Sequence, residues 1–183
     1  RIINKSELFN IGIYEWIDGN KIIRPDIKDI LQIIKFIKKL KNLSKQKNML
    51  NLNYASEACL SRLDLIDQIQ NRISKLQNIN TKNKNFKKFL LKDFLPLWKK
   101  IKNTSLKSWP KSSRYKILGK NRLILSPSDF GFNNILRKKD KLYFLDFEYF
   151  GWDDPVKLTA DFIWHPSQTV NKNLLEIWKK NMI

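Results

Sequence analysis

The sequence predicts an α+β fold, mainly helical with a β-hairpin, on three observations. Between residues 26 and 102 apolar side chains recur at helical spacing with lysines between them. From Arg122 the texture changes to short apolar runs broken by polar turns, and helical spacing returns at 155–164 and 171–182. The 183 residues, 42% apolar and 12% aromatic, are enough to build a packed core, which excludes a disordered chain.

Residues 10–17, Asn-Ile-Gly-Ile-Tyr-Glu-Trp-Ile, are β-branched and aromatic and read as a strand that stops at the turn cluster Asp18-Gly19-Asn20. Asp26, just after Pro25, is the expected N-cap of a helix with the stripe Ile27, Ile30, Leu31, Ile34, Ile37, Leu40 and Leu43. A second helix is expected from near Ser56, with the stripe Leu60, Leu63, Ile66, Ile69, Ile73 and Leu76. Asn-rich residues 78–85 separate it from a third, over 86–102, which Pro96 should kink or end. Strands are expected at Arg122–Leu125, Asn134–Arg137 and Leu142–Phe147, the last two joined as a hairpin by Lys138-Lys139-Asp140-Lys141. No internal repeat or sustained heptad runs through the chain.

Thirty-six cations against 17 acids give a net charge of +19, which favours anionic partners by long-range attraction. The cations are 29 Lys and only seven Arg, scattered around amphipathic helices, so specific nucleic-acid recognition is not expected. No apolar run is long enough to span a bilayer and no secretory signal opens the chain, so no membrane insertion is expected. Cys59, the lone cysteine, excludes an internal disulfide; it reads as an inert residue on or beside a helical face, in a reducing, cytoplasmic compartment. His165, the lone histidine, excludes a His-cluster metal site and reads as a polar residue at a helix end. The oligomeric state has no sequence signal.

Beyond residue 110 there are eight acids, and seven of them lie between Asp129 and Asp161, in aromatic and β-rich surroundings. Asp129 is followed five residues later by Asn134, and twelve residues further on by Asp146 in Leu-Asp-Phe-Glu-Tyr149. That spacing suits phosphoryl transfer. A loop aspartate can accept or orient a substrate hydroxyl, while an amide oxygen and a carboxylate from the adjoining hairpin share Mg²⁺. Magnesium takes hard oxygen ligands and keeps several waters, so no histidine or cysteine is needed. Glu148 is open between a third metal-side carboxylate and a surface charge. Phe150, Trp152 and Trp164 are open between ordinary core or rim aromatics and a wall for a quaternary ammonium.

The segment Ser126-Pro-Ser-Asp-Phe-Gly-Phe-Asn-Asn134 with Asp146 resembles the catalytic loop and metal-binding segment of protein-kinase-like enzymes, in the branch of choline/ethanolamine kinases and aminoglycoside phosphotransferases. Leu145-Asp-Phe-Glu-Tyr149 is similar to choline kinases in particular. Gly151-Trp-Asp-Asp-Pro-Val-Lys-Leu-Thr-Ala-Asp161 looks like the family's Gly-Asp-Pro segment, and Tyr14-Glu-Trp-Ile-Asp-Gly19 like its hinge. The resemblance runs over roughly residues 10–182 and is specific at 14–19 and 122–166. It implies that residues 1–19 are the end of a small lobe and its hinge. Residues 20–183 would form the helical large lobe, incomplete at its C-terminus.

By that resemblance the function is ATP- and Mg²⁺-dependent phosphotransfer to a hydroxyl of a small molecule: an amino-alcohol, an aminoglycoside or a sugar. Asp129 is the implied catalytic residue, Asn134 and Asp146 the metal ligands, and the backbone of Glu15, Trp16 and Ile17 the adenine site. Asp161 would brace the catalytic loop. Two departures stand out. Pro127 occupies the position of the family's usual histidine, although a bacterial branch is similar here and often has His where this chain has Asn133. The five glycines form no phosphate-binding loop, and the chain starts at Arg1 rather than Met, so a fragment lacking most of the small lobe is expected. The competing readings are a catalytically inactive kinase-like remnant and a basic nucleic-acid-binding protein.

Overall fold

The structure, a computed structural model, describes residues 2–6, 8–9, 11–167 and 170–182. In chain order its strands are β1 (Ile2–Ser6), β2 (Ile11–Tyr14), β3 (Asn20–Lys21), β4 (Ile124–Ser126), β5 (Ile135–Lys138), β6 (Lys141–Phe144) and β7 (Gly151–Asp153). Its helices are α1 (Ile27–Leu43), α2 (Arg62–Gln77), α3 (Lys84–Lys88), α4 (Leu95–Ser108), α5 (Pro155–Ile163) and α6 (Lys172–Met182). Helices dominate and all strand pairs in the sheets are antiparallel, which is an α+β architecture. No helix among the described residues is long and apolar enough to cross a membrane. The chain divides into two compact units, Arg1–Ser56 with Ile124–Ile183, and Glu57–Leu123. Residues 20–183 therefore contribute to both.

The first unit is organised around α1. Asp26 and Asp29 cap it reciprocally: the Asp26 carboxylate accepts from Asp29 N–H at 3.0 Å, and Asp29 accepts from Asp26 N–H at 2.8 Å. This satisfies two backbone donors that a helix start leaves unpaired. Ile30, Ile33, Ile34 and Ile37 are buried against Ile124, Phe130, Ile135, Phe162 and Trp178, and each such isoleucine contributes roughly 1.5–3 kcal/mol of apolar burial. Asp29 is 2% exposed; its charge is matched by Arg137 of β5, whose Nε donates to Oδ1 at 3.1 Å and whose Nη2 meets Oδ2. Gln32 fastens the hairpin to the same helix, donating to Asp140 O and accepting from Leu142 N–H, both at 3.0 Å.

Among the described residues this unit has three sheets: β1 with β2, β4 with β7, and β3-β5-β6 in that order. The expected hairpin forms, with Lys138 opposite Lys141 across the two-residue turn Lys139-Asp140. Its second strand is shorter than expected and ends at Phe144, because Asp146 takes a left-handed φ of 60° that strand geometry does not allow. The strand expected at Arg122–Leu125 begins instead at Ile124, since Lys120–Arg122 close a 3₁₀ turn onto Gly119. Strand β7 was not expected. Gly151 is required there: a Cβ would lie 2.5 Å from Ala55 N and 2.6 Å from Asn53 O, the backbone of a crossing segment that bonds Trp152 on both sides.

The second unit holds α2, α3 and α4. Helix α2 starts at Ser61, not near Ser56, because Ser61 has an acid three residues on. Its Oγ accepts from Asp64 N–H at 3.1 Å and Asp64 returns the bond to Ser61 N–H at 2.7 Å. Pro96 does not end the third helix. The turn before it, Phe89–Phe94, is π-helical, with Leu95 N–H bonding back to Leu90 O, and the α-helix then runs on to Ser108. The wider turn accommodates a residue that has no N–H to give. Trp98 Nε1 donates to Gln70 Oε1 at 3.3 Å, tying α4 to α2. Cys59, buried just before α2, donates its thiol to the same helix at Gln68 Oε1, 3.3 Å away.

Candidate active site

The loop after β4 is built to hold one carboxylate outward. Ser126 is fully buried and its Oγ accepts from Ser128 N–H at 3.1 Å. Ser128 takes a left-handed φ of 71°, and its hydroxyl donates to Ser56 O at 2.6 Å. Two tight backbone turns follow, Asp129 N–H to Pro127 O at 3.1 Å and Phe130 N–H to Ser128 O at 3.0 Å. Phe130 and Phe132, each 3% exposed, anchor the loop on Phe162 at centroid distances of 5.3 and 5.5 Å. Asp129, just before the first of these anchors, keeps 46% of its side chain exposed.

Both carboxylate oxygens of Asp129 are engaged. Asn134 Nδ2 donates to Oδ2 at 2.9 Å and to the Asp129 carbonyl at 3.0 Å. His165 Nε2 lies 3.1 Å from Oδ1. Burial is the largest single influence on this carboxyl and opposes its ionisation. The hydrogen bonds from His165 and Asn134, the attraction of His165 and the longer Asn133 contact together outweigh it, and Asp129 is held below its ordinary pKa. At neutral pH it is a carboxylate, able only to accept.

Asp146 arrives from the hairpin. Beyond the Ile135–Phe144 pair, Leu145 N–H donates to Asn134 O at 2.9 Å, which sets Asp146 one residue past Asn134's partner. Its left-handed backbone is one that Asp tolerates better than most residues, and its side chain is exposed. Nearby, Tyr149 is held above its ordinary phenol pKa, by the Glu148 hydrogen bond first, then by Glu148's charge, with Asp146 and Asp129 adding to it. Asp129 and Asp146 thus act on one phenol, and Glu148 is an exposed carboxylate bonded to it.

Glu15, Trp16 and Ile17 lie between β2 and β3, outside any strand; Glu15 and Trp16 are exposed and Ile17 is half-buried. Strand β3 then pairs with β5, Asn20 opposite Arg137, so this segment joins the sheet that leads to Asn134 and Asp146. The structure brings Asp129 and Asn134 into contact and bonds Leu145, the residue before Asp146, to the Asn134 backbone. It does not bring Glu15, Trp16 or Ile17 into hydrogen-bond contact with them.

Other open residues resolve. Trp152 is 1% exposed, with Nε1 on Met49 O at 3.1 Å, so it is core. Trp164 is 81% exposed, and Phe150 is half-buried against Phe147 at 6.0 Å. Asp161 pairs with Lys157 Nζ at 2.6 Å, and Lys157 also meets the buried Asp153 at 3.3 Å. Burial works to discharge Lys157, but the Asp161 bond and the pull of both acids prevail and raise its pKa. Among the described residues no group of three or more His, Cys, Asp or Glu side chains is placed to hold a metal ion. The contact that does form at the site joins one carboxylate, that of Asp129, to the Asn134 amide.

His165 was missed by sequence reasoning. It does follow the end of α5, as expected, but its ring reaches Asp129. Being the only histidine in the chain was the one available signal. A scan against protein-family models returned no match to this chain, and a search of curated proteins returned none.

Proposed function

We propose that the chain carries the catalytic loop of an ATP- and Mg²⁺-dependent phosphotransferase acting on a hydroxyl of a small molecule. The observation that carries this reading is the pair of hydrogen bonds that Asn134 Nδ2 donates to the Asp129 carbonyl and carboxylate, with Asp146 following directly on Leu145, whose N–H bonds Asn134 O. With Nδ2 committed to Asp129, the Asn134 amide oxygen is the atom left for a cation. That oxygen and the exposed Asp146 carboxylate are the hard donors magnesium requires. When bound, Mg²⁺ neutralises phosphate charge as the γ-phosphoryl moves.

Asp129, ionised and fixed in orientation, accepts the hydrogen bond of the acceptor hydroxyl and aims it. Residues 15–17 lie outside any strand; the Ile17 carbonyl accepts from Gly19 N–H at 3.0 Å, and in this reading adenine is met by the Ile17 N–H and the backbone groups of Glu15 and Trp16. A second reading, a kinase-like remnant without turnover, draws on Pro127, which supplies no side-chain donor next to Asp129.

Acceptor-dependent ADP release from Mg-ATP, measured on the full product of the gene across amino-alcohols, aminoglycosides and sugars, separates the two. Asp146→Ala should abolish turnover. Asp129→Asn should leave nucleotide affinity nearly intact while lowering kcat by about 10²–10⁴-fold. Silence with every acceptor class favours the remnant.

A further inference from the structure

The only histidine of the chain is committed to the candidate catalytic carboxylate from 36 residues away. Its other ring nitrogen identifies the donor. Ser167 N–H points at His165 Nδ1 at 3.2 Å, and Ser167 Oγ lies 2.7 Å from the same atom. With Nδ1 accepting in the neutral ring, the ring proton sits on Nε2; neutral or charged, the imidazole donates to Asp129 Oδ1. Ser167 Oγ also reaches Asn133 Oδ1 at 3.4 Å, closing the arrangement back on the loop.

The loop is shaped to admit this ring. A Cβ on Gly131 would lie 2.6 Å from both His165 Cγ and Asn133 Oδ1 and 2.7 Å from His165 Nδ1, so any side chain there would displace the imidazole together with the Asn133 amide. Only 14% of the His165 side chain is exposed. We propose that His165, braced by Ser167, is a positioning residue that locks the Asp129 carboxylate with Oδ1 on the imidazole and Oδ2 on Asn134. Rotation of the carboxylate would break both bonds, so its free lone pairs keep one direction. Within the loop, Pro127 has no donor to do this. The purpose of the lock rests on the phosphotransfer reading, whereas its geometry does not.

The test reads Asn134, which His165 does not touch. In the ¹⁵N-labelled chain, the Asn134 side-chain NH₂ pair, assigned by its loss in Asn134→Ala, should be well dispersed by its bonds to Asp129. His165→Ala should collapse that pair toward the solvent-exposed position. His165→Gln, whose amide places a donor near Nε2, should retain it. Gly131→Ala should collapse it by crowding out an intact imidazole; because that Cβ also meets Asn133, it is read against Asn133→Ala, which should retain the pair, and the two together decide the matter if His165→Ala does not fold. A pair that stays put in folded His165→Ala or Gly131→Ala, or collapses equally in His165→Gln or Asn133→Ala, overturns the proposal. In the gene's full product with Mg-ATP, His165→Ala should lower kcat by about 10²-fold with nucleotide KM unchanged. If the NMR pattern holds but no acceptor yields ADP, the lock stands and the phosphotransfer reading falls.

Discussion

Helices α1 and α4 share one sequence texture, lysines alternating with apolar residues, and have opposite fates. Helix α1 buries Asp29, Ile30, Ile33, Ile34, Ile37 and Leu40. Helix α4 buries no residue, and its Leu97 and Ile101 are 55% and 49% exposed. Periodicity locates a helix, but burial depends on what the rest of the chain brings to its stripe. For α1 that is the β5-β6 hairpin, β4, α5 and α6. For α4 the contacts include polar ones, Trp98 and Lys102 reaching Gln70 at 3.3 and 3.4 Å.

The contrast can be broken most directly in the two stripes. Ile33→Ala should cost about 3 kcal/mol, the usual penalty for a fully enclosed aliphatic residue, whereas Leu97→Ala should stay within about 0.5 kcal/mol. Urea midpoints of both variants check it, and equal losses would erase the distinction between the helices.

A smaller effect sharpens it. Arg137→Ala strands the buried Asp29 carboxylate with the Asp26 N–H as its remaining partner, and should cost about 2 kcal/mol. Combining Arg137→Met with Asp29→Asn should recover much of that, because the second change removes the charge left uncompensated. A double variant no better than Arg137→Ala alone would mean that lost packing, not charge, set the penalty.

The smallest change addresses the second unit's own start signal. Ser61→Ala removes the acceptor for Asp64 N–H and should cost about 1 kcal/mol, while Ser61→Asp should cost far less. Thermal melts followed by helical circular dichroism would show it. No difference between the two would indicate that α2 is held by packing rather than by its cap.

Local signals account for what was legible. The Asp26 cap was readable because it precedes an isoleucine stripe, and the hairpin because its turn is polar and its strands apolar. Asp129 and Asn134 could be paired because a single turn of the chain brings them into contact five residues apart. The second helix start was misplaced because Ser56 and Ser61 are both plausible caps, and only the latter has Asp64 in reach. Strand β7 is three residues long and buried throughout, so it shows no alternation to read. The His165 contact spans 36 residues with no periodic pattern linking its ends, and only folding reveals it.

Because the first unit is assembled from two stretches of chain on either side of the second, synthesis and folding run in different orders. Helix α1 is made early, but Arg137, the partner of its buried Asp29, follows 108 residues later. At ordinary translation rates that interval is roughly 5–20 seconds. During it the isoleucine face of α1 has no hairpin to cover it, while residues 57–123 already contain both ends of the Ser61–Asp64 cap and of the Trp98–Gln70 bond. The inserted unit can close on itself as it emerges, and the unit that begins first is completed last.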